Sequence, residues 1–299
     1  MELTKADKEA LARMPDGWFE ATNLSCQITR PWYRCDRLHK AGALEFRVVG
    51  QFPDLLAEYR KNSGLSNSDT RYTPTLPIPD VALVDNAEQR TPLVLVLDSS
   101  GSMEGAPIDQ LNKGLQLLEK ELKGDAIAAK RVRVLIVQLG GKDEARIVAN
   151  WRDAMDFEAP KLVANGTTPT GQAVDLALKS IEDEKQCFKQ AGVAYTRPWM
   201  FLMSDGAPTD LWKNAAERCC DAETGNKVAI FPIAVGEEAD TKTLGQFSSK
   251  GLAAVKRLDG LRFRELFLWL SASMKVVSHS APGGKVQLPP IDTWTQGST

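Results

Sequence analysis

Four short runs of nearly uninterrupted apolar residues constrain this chain most: 92–97 (PLVLVL), 132–137 (VRVLIV), 199–203 (WMFLM) and 228–235 (VAIFPIAV). A strand with one face in water alternates polar and apolar residues. These runs do not, so each is expected to be buried on both faces, as in a parallel sheet covered by helices. Helical patterns lie between and after them, at 108–122, 170–191, 211–223 and 262–277. Such alternation predicts βαβ crossovers and an α/β fold: a doubly wound, mostly parallel sheet with helices on both faces. The stretch 144–151 (EARIVANW) is expected to add one antiparallel edge strand.

With 43% hydrophobic and 25% charged residues over 299 positions, the chain has enough apolar material for a full core. Its net charge of −2 offers no global basic field for bulk binding to nucleic acid or membrane. No run approaches the length of a spanning helix, so no membrane partner is expected. The beginning, MELTKADKEALARM, alternates in charge and lacks the apolar centre of a signal peptide, which predicts a cytoplasmic protein. The five cysteines (Cys26, Cys35, Cys187, Cys219 and Cys220) form no CxxC pair, so reduced thiols are expected.

Four regions are expected: a small domain over 1–62, a linker rich in Ser, Asn, Thr and Pro over 63–90, the α/β domain over 91–281, and an extended tail over 282–299. The first reads as a small α+β, winged helix-turn-helix-like domain. Residues 5–14 predict a helix stopped by Pro15-Asp16-Gly17, 20–27 a second short helix, and 29–41 a third, with Thr29 as cap and Gly42 as stop. Residues 43–49 (ALEFRVV) predict a wing strand. In the third helix Pro31, Cys35 and Leu38 form an inward stripe, and Arg30, Arg34 and Arg37 repeat the same spacing about 100° away. With Trp32 and Tyr33 beside them, these arginines make a candidate DNA-contacting face. Residues 1–75 hold 11 basic and 10 acidic side chains, a net of +1, which is little for a dedicated DNA-binding domain. DNA contact and protein docking both stay open.

Three loops carry small oxygen-bearing side chains: Asp98-Ser99-Ser100-Gly101-Ser102 after the first apolar run, Asn165-Gly166-Thr167-Thr168-Pro169-Thr170-Gly171 before a helix, and Ser204-Asp205-Gly206-Ala207-Pro208-Thr209-Asp210 after the third run. A lone SSGS is more often a flexible loop and a lone SDG a turn. Together, and in this order, they converge on one metal site, because ligands in open α/β sheets bind at the carboxyl ends of strands. Asp98, Ser100, Ser102, Thr168 and Asp205 are the candidate ligands. Hydroxyls and carboxylates suit a hard cation, Mg²⁺ or Mn²⁺, and so few formal charges leave it electrophilic, with room for an outside carboxylate.

Enzymatic readings fare worse. A phosphatase built on an aspartyl nucleophile needs a second carboxylate two residues after Asp98, and that position is Ser100. Ser102 is not in a G-x-S-x-G elbow, and no Gly-rich phosphate loop ends in Lys-Ser/Thr. The aromatic residues Phe263, Phe267 and Trp269 predict the core side of a final helix, and Glu182-Asp183-Glu184-Lys185 a solvated run.

The stretches Asp98-Ser-Ser-Gly-Ser-Met103, APIDQLNKGL, GTTPTG and FLMSDGAPTD, supported by ALVDNAEQRTP, YTRPW and LRFRELFLWLSAS, resemble bacterial TerY-type von Willebrand A proteins and their metal-ion-dependent adhesion site (MIDAS). The resemblance covers roughly 80–294. It implies a non-enzymatic adaptor of tellurite-resistance, stress or defence systems. Such an adaptor would capture an Asp or Glu of a protein partner through the metal, with a kinase or phosphatase of the same system as candidate partner. Family members commonly begin near the first strand, so the resemblance says nothing of the preceding 80 or so residues. A DNA-binding regulator, with the α/β domain as sensor or oligomerisation module, is the alternative.

Overall fold

The computed structural model describes residues 5–20, 24, 35, 38–39, 43–49, 56–61, 86, 88–141, 143–281, 283–284, 286–291 and 294–295. Two compact units emerge: residues 1–87 with 183–193, and residues 88–182 with 194–299.

In the first unit, helix α1 (Lys5–Arg13) is followed by β1 (Phe19–Glu20), β2 (Leu44–Val49) and β3 (Leu56–Lys61). The three strands form an antiparallel sheet in the order β1-β3-β2. Their core collects Ala10, Met14, Phe19, Leu24, Cys35, Leu38, Leu44 and Tyr59. Cys35 and Leu38 are helical and fully buried, as their spacing predicts. Glu20 corrects one expectation, since it does not open a helix. It pairs with Glu58 while Phe19 meets Tyr59, so strand pairing and an aromatic contact win over local helix propensity. Most of the expected second and third helices, including Arg30, Trp32, Tyr33, Arg34 and Arg37, lies outside the described residues.

The second unit holds a six-stranded sheet, β4 (Thr91–Ser99), β5 (Val132–Gly140), β6 (Arg146–Asp153), β7 (Trp199–Ser204), β8 (Ala229–Ala234) and β9 (Lys256–Arg257), in the order β6-β5-β4-β7-β8-β9. All neighbours are parallel except β6, which runs antiparallel to β5 at the edge. Helices α2 (Ala106–Lys123), α3 (Ala126–Arg131), α5 (Lys213–Thr224), α6 (Thr241–Gly245) and α7 (Phe263–His279) complete it, with α4 (Thr170–Ala191) as far as residue 182. Successive residues of β4 feed two different cores. Leu93, Leu95 and Leu97 face the cluster with α2 and α7, whereas Val94 and Val96 face the cluster with α4, α5 and α6. A strand with both faces covered has no use for polar alternation, which accounts for the apolar runs.

The sheet grows from β4 to both sides, to β5 and β6 on one and to β7, β8 and β9 on the other. The carboxyl ends of β4 and β7 therefore flank the topological switch point, where open α/β sheets place their ligands. Leu97 and Met203 form the last pair between β4 and β7, so the residues that follow, Asp98 and Ser204, lie side by side at the carboxyl ends of the two strands.

Phe263 and Phe267 are fully buried and Trp269 nearly so, as expected of the final helix. The run 182–185 needs a correction, because Glu184 and Lys185 are buried. Ile181, Glu184, Lys185 and Phe188 share one helix face by their spacing, and residues 183–193 cluster with the N-terminal residues. Among the described residues Cys35, Cys187, Cys219 and Cys220 take part in no disulfide. No helix among them is long and apolar enough to cross a membrane.

Candidate metal centre

Asp98 is the penultimate residue of β4 and is 1% exposed. Its Oδ1 accepts the Ser100 N–H at 2.8 Å, which tightens the turn, and its Oδ2 accepts the Ser204 hydroxyl at 2.6 Å. Burial pushes the Asp98 carboxyl up to about 6, against those hydrogen bonds, and the Asp205 carboxylate pushes the same way. Hydroxyls, an amide and a second carboxylate perturb Asp98, with no cation among them. A buried carboxylate in that position is poised to accept a positive ion.

From there a chain of oxygens runs outward. Ser100 Oγ stands 2.9 Å from Ser102 Oγ, and Ser102 Oγ donates to Asp205 Oδ1 at 2.8 Å. Burial raises the Asp205 carboxyl too, against the Ser102 hydroxyl. Asp98, Ser100 and Thr168 are buried, Asp205 is half-buried and Ser102 exposed, so the cluster opens to solvent at one end.

Thr168 comes from a third loop that is stitched to the other two. Gly101 N–H donates to Gly166 O at 3.0 Å and Asn165 N–H to Ser99 O at 2.8 Å. Thr168 N–H donates to Thr209 Oγ1 at 3.0 Å, and Thr209 N–H returns to Thr168 O at 3.0 Å. A methyl group placed on Gly206 would lie 4.0 Å from Thr168 Oγ1, which sets that hydroxyl against the loop of Asp205.

The fit to a divalent ion is testable on these spacings. Around an octahedral ion with oxygens at about 2.1 Å, adjacent donors stand about 3.0 Å apart. The pairs Ser100–Ser102 and Ser102–Asp205 are hydrogen-bonded at 2.9 and 2.8 Å, the ordinary O–H···O range, and so stand no farther apart than that edge requires. The buried, cation-free Asp98 meets the charge requirement. The residues present therefore fit a hard divalent ion, with Ser102 and Asp205 on the open side. Among the described residues no group of three His, Cys, Asp or Glu side chains is placed to hold a metal.

Four supporting residues were not assigned by their sequence context. Ser204 orients Asp98, and Thr209 holds the Thr168 backbone. Asp143 accepts the Thr167 N–H at 2.8 Å. Asp210 accepts Gly171 N–H and Gln172 N–H at 3.0 and 2.9 Å, capping α4 from another loop. Ser99 turns away, donating to Leu139 O and accepting from Gln138. Only the SDG-x-x-TD pattern hinted at any of these.

Comparison with known proteins places the geometry in a family. Residues 93–261 match the model of the von Willebrand factor type A domain. Curated proteins give no match. A solved structure of the pilus adhesin SpaC from Lactobacillus rhamnosus GG is 10% identical with a TM-score of 0.52, covering 79% of this chain and 35% of that one. The ArnB paralog VWA2 from Sulfolobus acidocaldarius is 17% identical (TM-score 0.44; 62% and 45% covered). Proximal thread matrix protein 1 from the mussel byssus, solved with zinc in its MIDAS motif, is 12% identical (TM-score 0.43; 63% and 48%). The chain spans less than half the length of each of these structures. The family model covers more than half of the 299 residues, so the chain belongs to the von Willebrand factor type A domain family.

Proposed function

We propose that this chain is a metal-dependent protein-binding module, in which Asp98, Ser100, Ser102, Thr168 and Asp205 hold Mg²⁺ or Mn²⁺ and the ion receives an Asp or Glu from a partner protein. The observation that carries the reading is the hydrogen-bonded oxygen chain from Ser100 through Ser102 to Asp205, which gathers two hydroxyls and a carboxylate on the loops that follow β4 and β7, with the buried Asp98 carboxylate at the end of β4. The bound ion supplies an electrophilic coordination position. The chain's own residues hold it, and the supporting hydrogen bonds keep the open side toward solvent. Binding rather than turnover is favoured by Ser100, which stands where a general acid would be needed beside Asp98. Calorimetric titration of Mg²⁺ and Mn²⁺ into the native chain and into Asp98→Ala, Ser100→Ala and Asp205→Ala tests the site. Weakened binding in all three is expected, and equal affinity would sink the proposal.

The system follows the motif resemblance: a cytoplasmic TerY-type adaptor of bacterial stress or defence, tellurite resistance among them, with a kinase or phosphatase as partner. Affinity capture with native and Asp205→Ala baits tests it through the partners that only the native chain retains. A second reading is a DNA-binding regulator with a winged-helix N-terminal unit. It is favoured by the strand order β1-β3-β2 behind α1 and by the helical, buried Cys35 and Leu38. It requires salt-dependent binding to duplex DNA that weakens in Arg34→Ala and Arg37→Ala. No binding at low salt removes it.

A further inference from the structure

We infer that Asp143, in the turn between β5 and β6, is a positioning residue for the metal centre: it holds the segment 165–168 in its ligand-bearing shape before an ion arrives. This rests on the proposed metal site. Residues 165–168 belong to no helix or strand, so no ladder or helical turn fixes them. Their hydrogen bonds go to three other segments instead. Asn165 N–H donates to Ser99 O at 2.8 Å, and Asn165 O accepts from Gly141 N–H at 2.7 Å. Gly166 O accepts from Gly101 N–H at 3.0 Å. Thr168 exchanges two bonds with Thr209. That leaves Thr167 N–H, one residue before the candidate ligand Thr168, and the Asp143 carboxylate accepts it at 2.8 Å.

The backbone of Asp143 is left-handed, with φ +61°, a conformation that Asp and Asn tolerate better than most residues other than Gly. Such backbone persists where its surroundings over-determine it, and it concentrates at binding sites. The approach is close: a methyl group on Gly166 would lie 2.9 Å from Asp143 Oδ1 and 3.1 Å from Asp143 N.

The base of the turn is tied down as well. Arg146 donates to Gln138 Oε1 through Nε and Nη2, at 3.2 and 3.1 Å, and Gln138 Nε2 donates to the Ser99 hydroxyl at 2.6 Å. Gln138 and Ser99 are both buried. A polar relay thus runs from β6 through β5 to the residue that separates Asp98 from Ser100. The turn is anchored beside the first metal loop and reaches the second. Loops ordered in advance leave less to be ordered when a ligand binds. Asp143 itself is exposed, so its bond adds little to the stability of the whole chain, and its effect is local.

Two variants separate the acceptor from the charge. Asp143→Gly keeps the left-handed backbone and removes the acceptor, whereas Asp143→Asn keeps both and removes the charge. Both are compared with the native chain by calorimetric Mg²⁺ titration, by thermal melts in excess chelator, and by amide hydrogen exchange over 165–168 without metal. Asp143→Gly should exchange faster there and bind Mg²⁺ about tenfold more weakly, with its melting temperature little changed. Asp143→Asn should recover slow exchange and bind within about threefold of the native chain. Native affinity or unchanged exchange in Asp143→Gly overturns the role of Asp143 and leaves the metal site standing. Equal losses in both variants assign the effect to charge and overturn the positioning role. Weakened binding that comes with a clear drop in melting temperature assigns it to folding and overturns it too. Absence of Mg²⁺ binding by the native chain overturns the inference and the metal site together.

Discussion

Asp98 shows how one side chain can weaken a fold and still be kept. Without metal its carboxyl is raised from 3.8 to about 6 by burial, so the folded chain holds a proton that the unfolded chain has already released. The contribution of Asp98 to stability is therefore present below about pH 4 and lost as pH rises through 6. Asp98→Asn has no such loss. In thermal melts without metal, the native chain should lose more stability between about pH 4 and 6 than the variant does. With Mg²⁺ the order reverses: the native chain gains melting temperature above pH 6 and the variant gains none. Parallel pH slopes for both metal-free proteins would contradict this. Gly140, opposite Ser99 in the ladder, bears on the same turn. Its φ is +99°, and a methyl group there would meet the Ser99 carbonyl and Ser100 N at 2.8 Å. Gly140→Ala should cost about 1–3 kcal/mol in denaturant melts and weaken Mg²⁺ binding by displacing Ser100. At this scale four candidate ligands were legible because small oxygen-bearing residues follow apolar runs, and Thr168 because its loop opens a helix. Ser204 was not, because its bond to Asp98 spans 106 positions and no local pattern announces it.

Among the elements, α2 and α7 meet at a point their sequences conceal. Gly114 in the middle of α2 reads as a weakness worth about 1 kcal/mol against Ala. It is instead a close contact, since a methyl group there would fall 2.2 Å from Cδ2 of Phe267, which is fully buried. Forcing a packed ring aside costs about 1–3 kcal/mol, which outweighs the gain in helix propensity. Gly114→Ala should therefore lower stability in denaturant melts, and a stabilised variant would show that the ring yields freely. Glu223, near the end of α5, is a second such tie. Its carboxylate accepts from both hydroxyls of Ser248 and Ser249 and from Ser249 N–H, at 2.7–2.8 Å. Burial works against the ionised form, yet these bonds hold its carboxyl below the usual range. The long helices were legible by their period, and the central strands by uninterrupted apolar runs that follow from burial on both faces. The six-residue α3 and the two-residue β9 are too short to show either. Glu184 and Lys185 are buried against the usual preference of charged side chains for water, which composition alone does not reveal.

On the scale of the whole α/β unit, the match to the family model ends at residue 261, before α7 begins, yet the packing continues well past it. Phe263, Leu266, Phe267, Leu270 and Met274 of α7 belong to the main core, and so does Trp294 in the tail. The tail crosses α7 as a strap. Trp269 Nε1 donates to Pro289 O at 2.9 Å, Trp269 and Trp294 lie 5.3 Å apart, and Asp259 N–H donates to Trp294 O at 2.9 Å beside a bridge from Leu258 to Thr295. At the opposite end of α7, Gln89 and Arg131 bind the carbonyl of Ser278, and Arg131 also pairs with Glu88. The segments on either side of the expected domain limits are thus part of its packing. Trp294 is 1% exposed, so Trp294→Ala should cost about 3–5 kcal/mol by the lost contacts and the cavity left behind. Trp294→Phe is a different case. Its indole N–H is buried with no hydrogen-bond partner among the described residues, a cost of about 1–3 kcal/mol in the native chain that Phe removes. Phe also keeps much of the ring contact with Trp269, so the smaller ring and the vanished N–H offset each other. Denaturant melts should place Trp294→Phe within about 1 kcal/mol of the native chain and Trp294→Ala well below both. Should Phe prove as damaging as Ala, the indole nitrogen has a partner in solution, and the strap is held by polarity as well as by area.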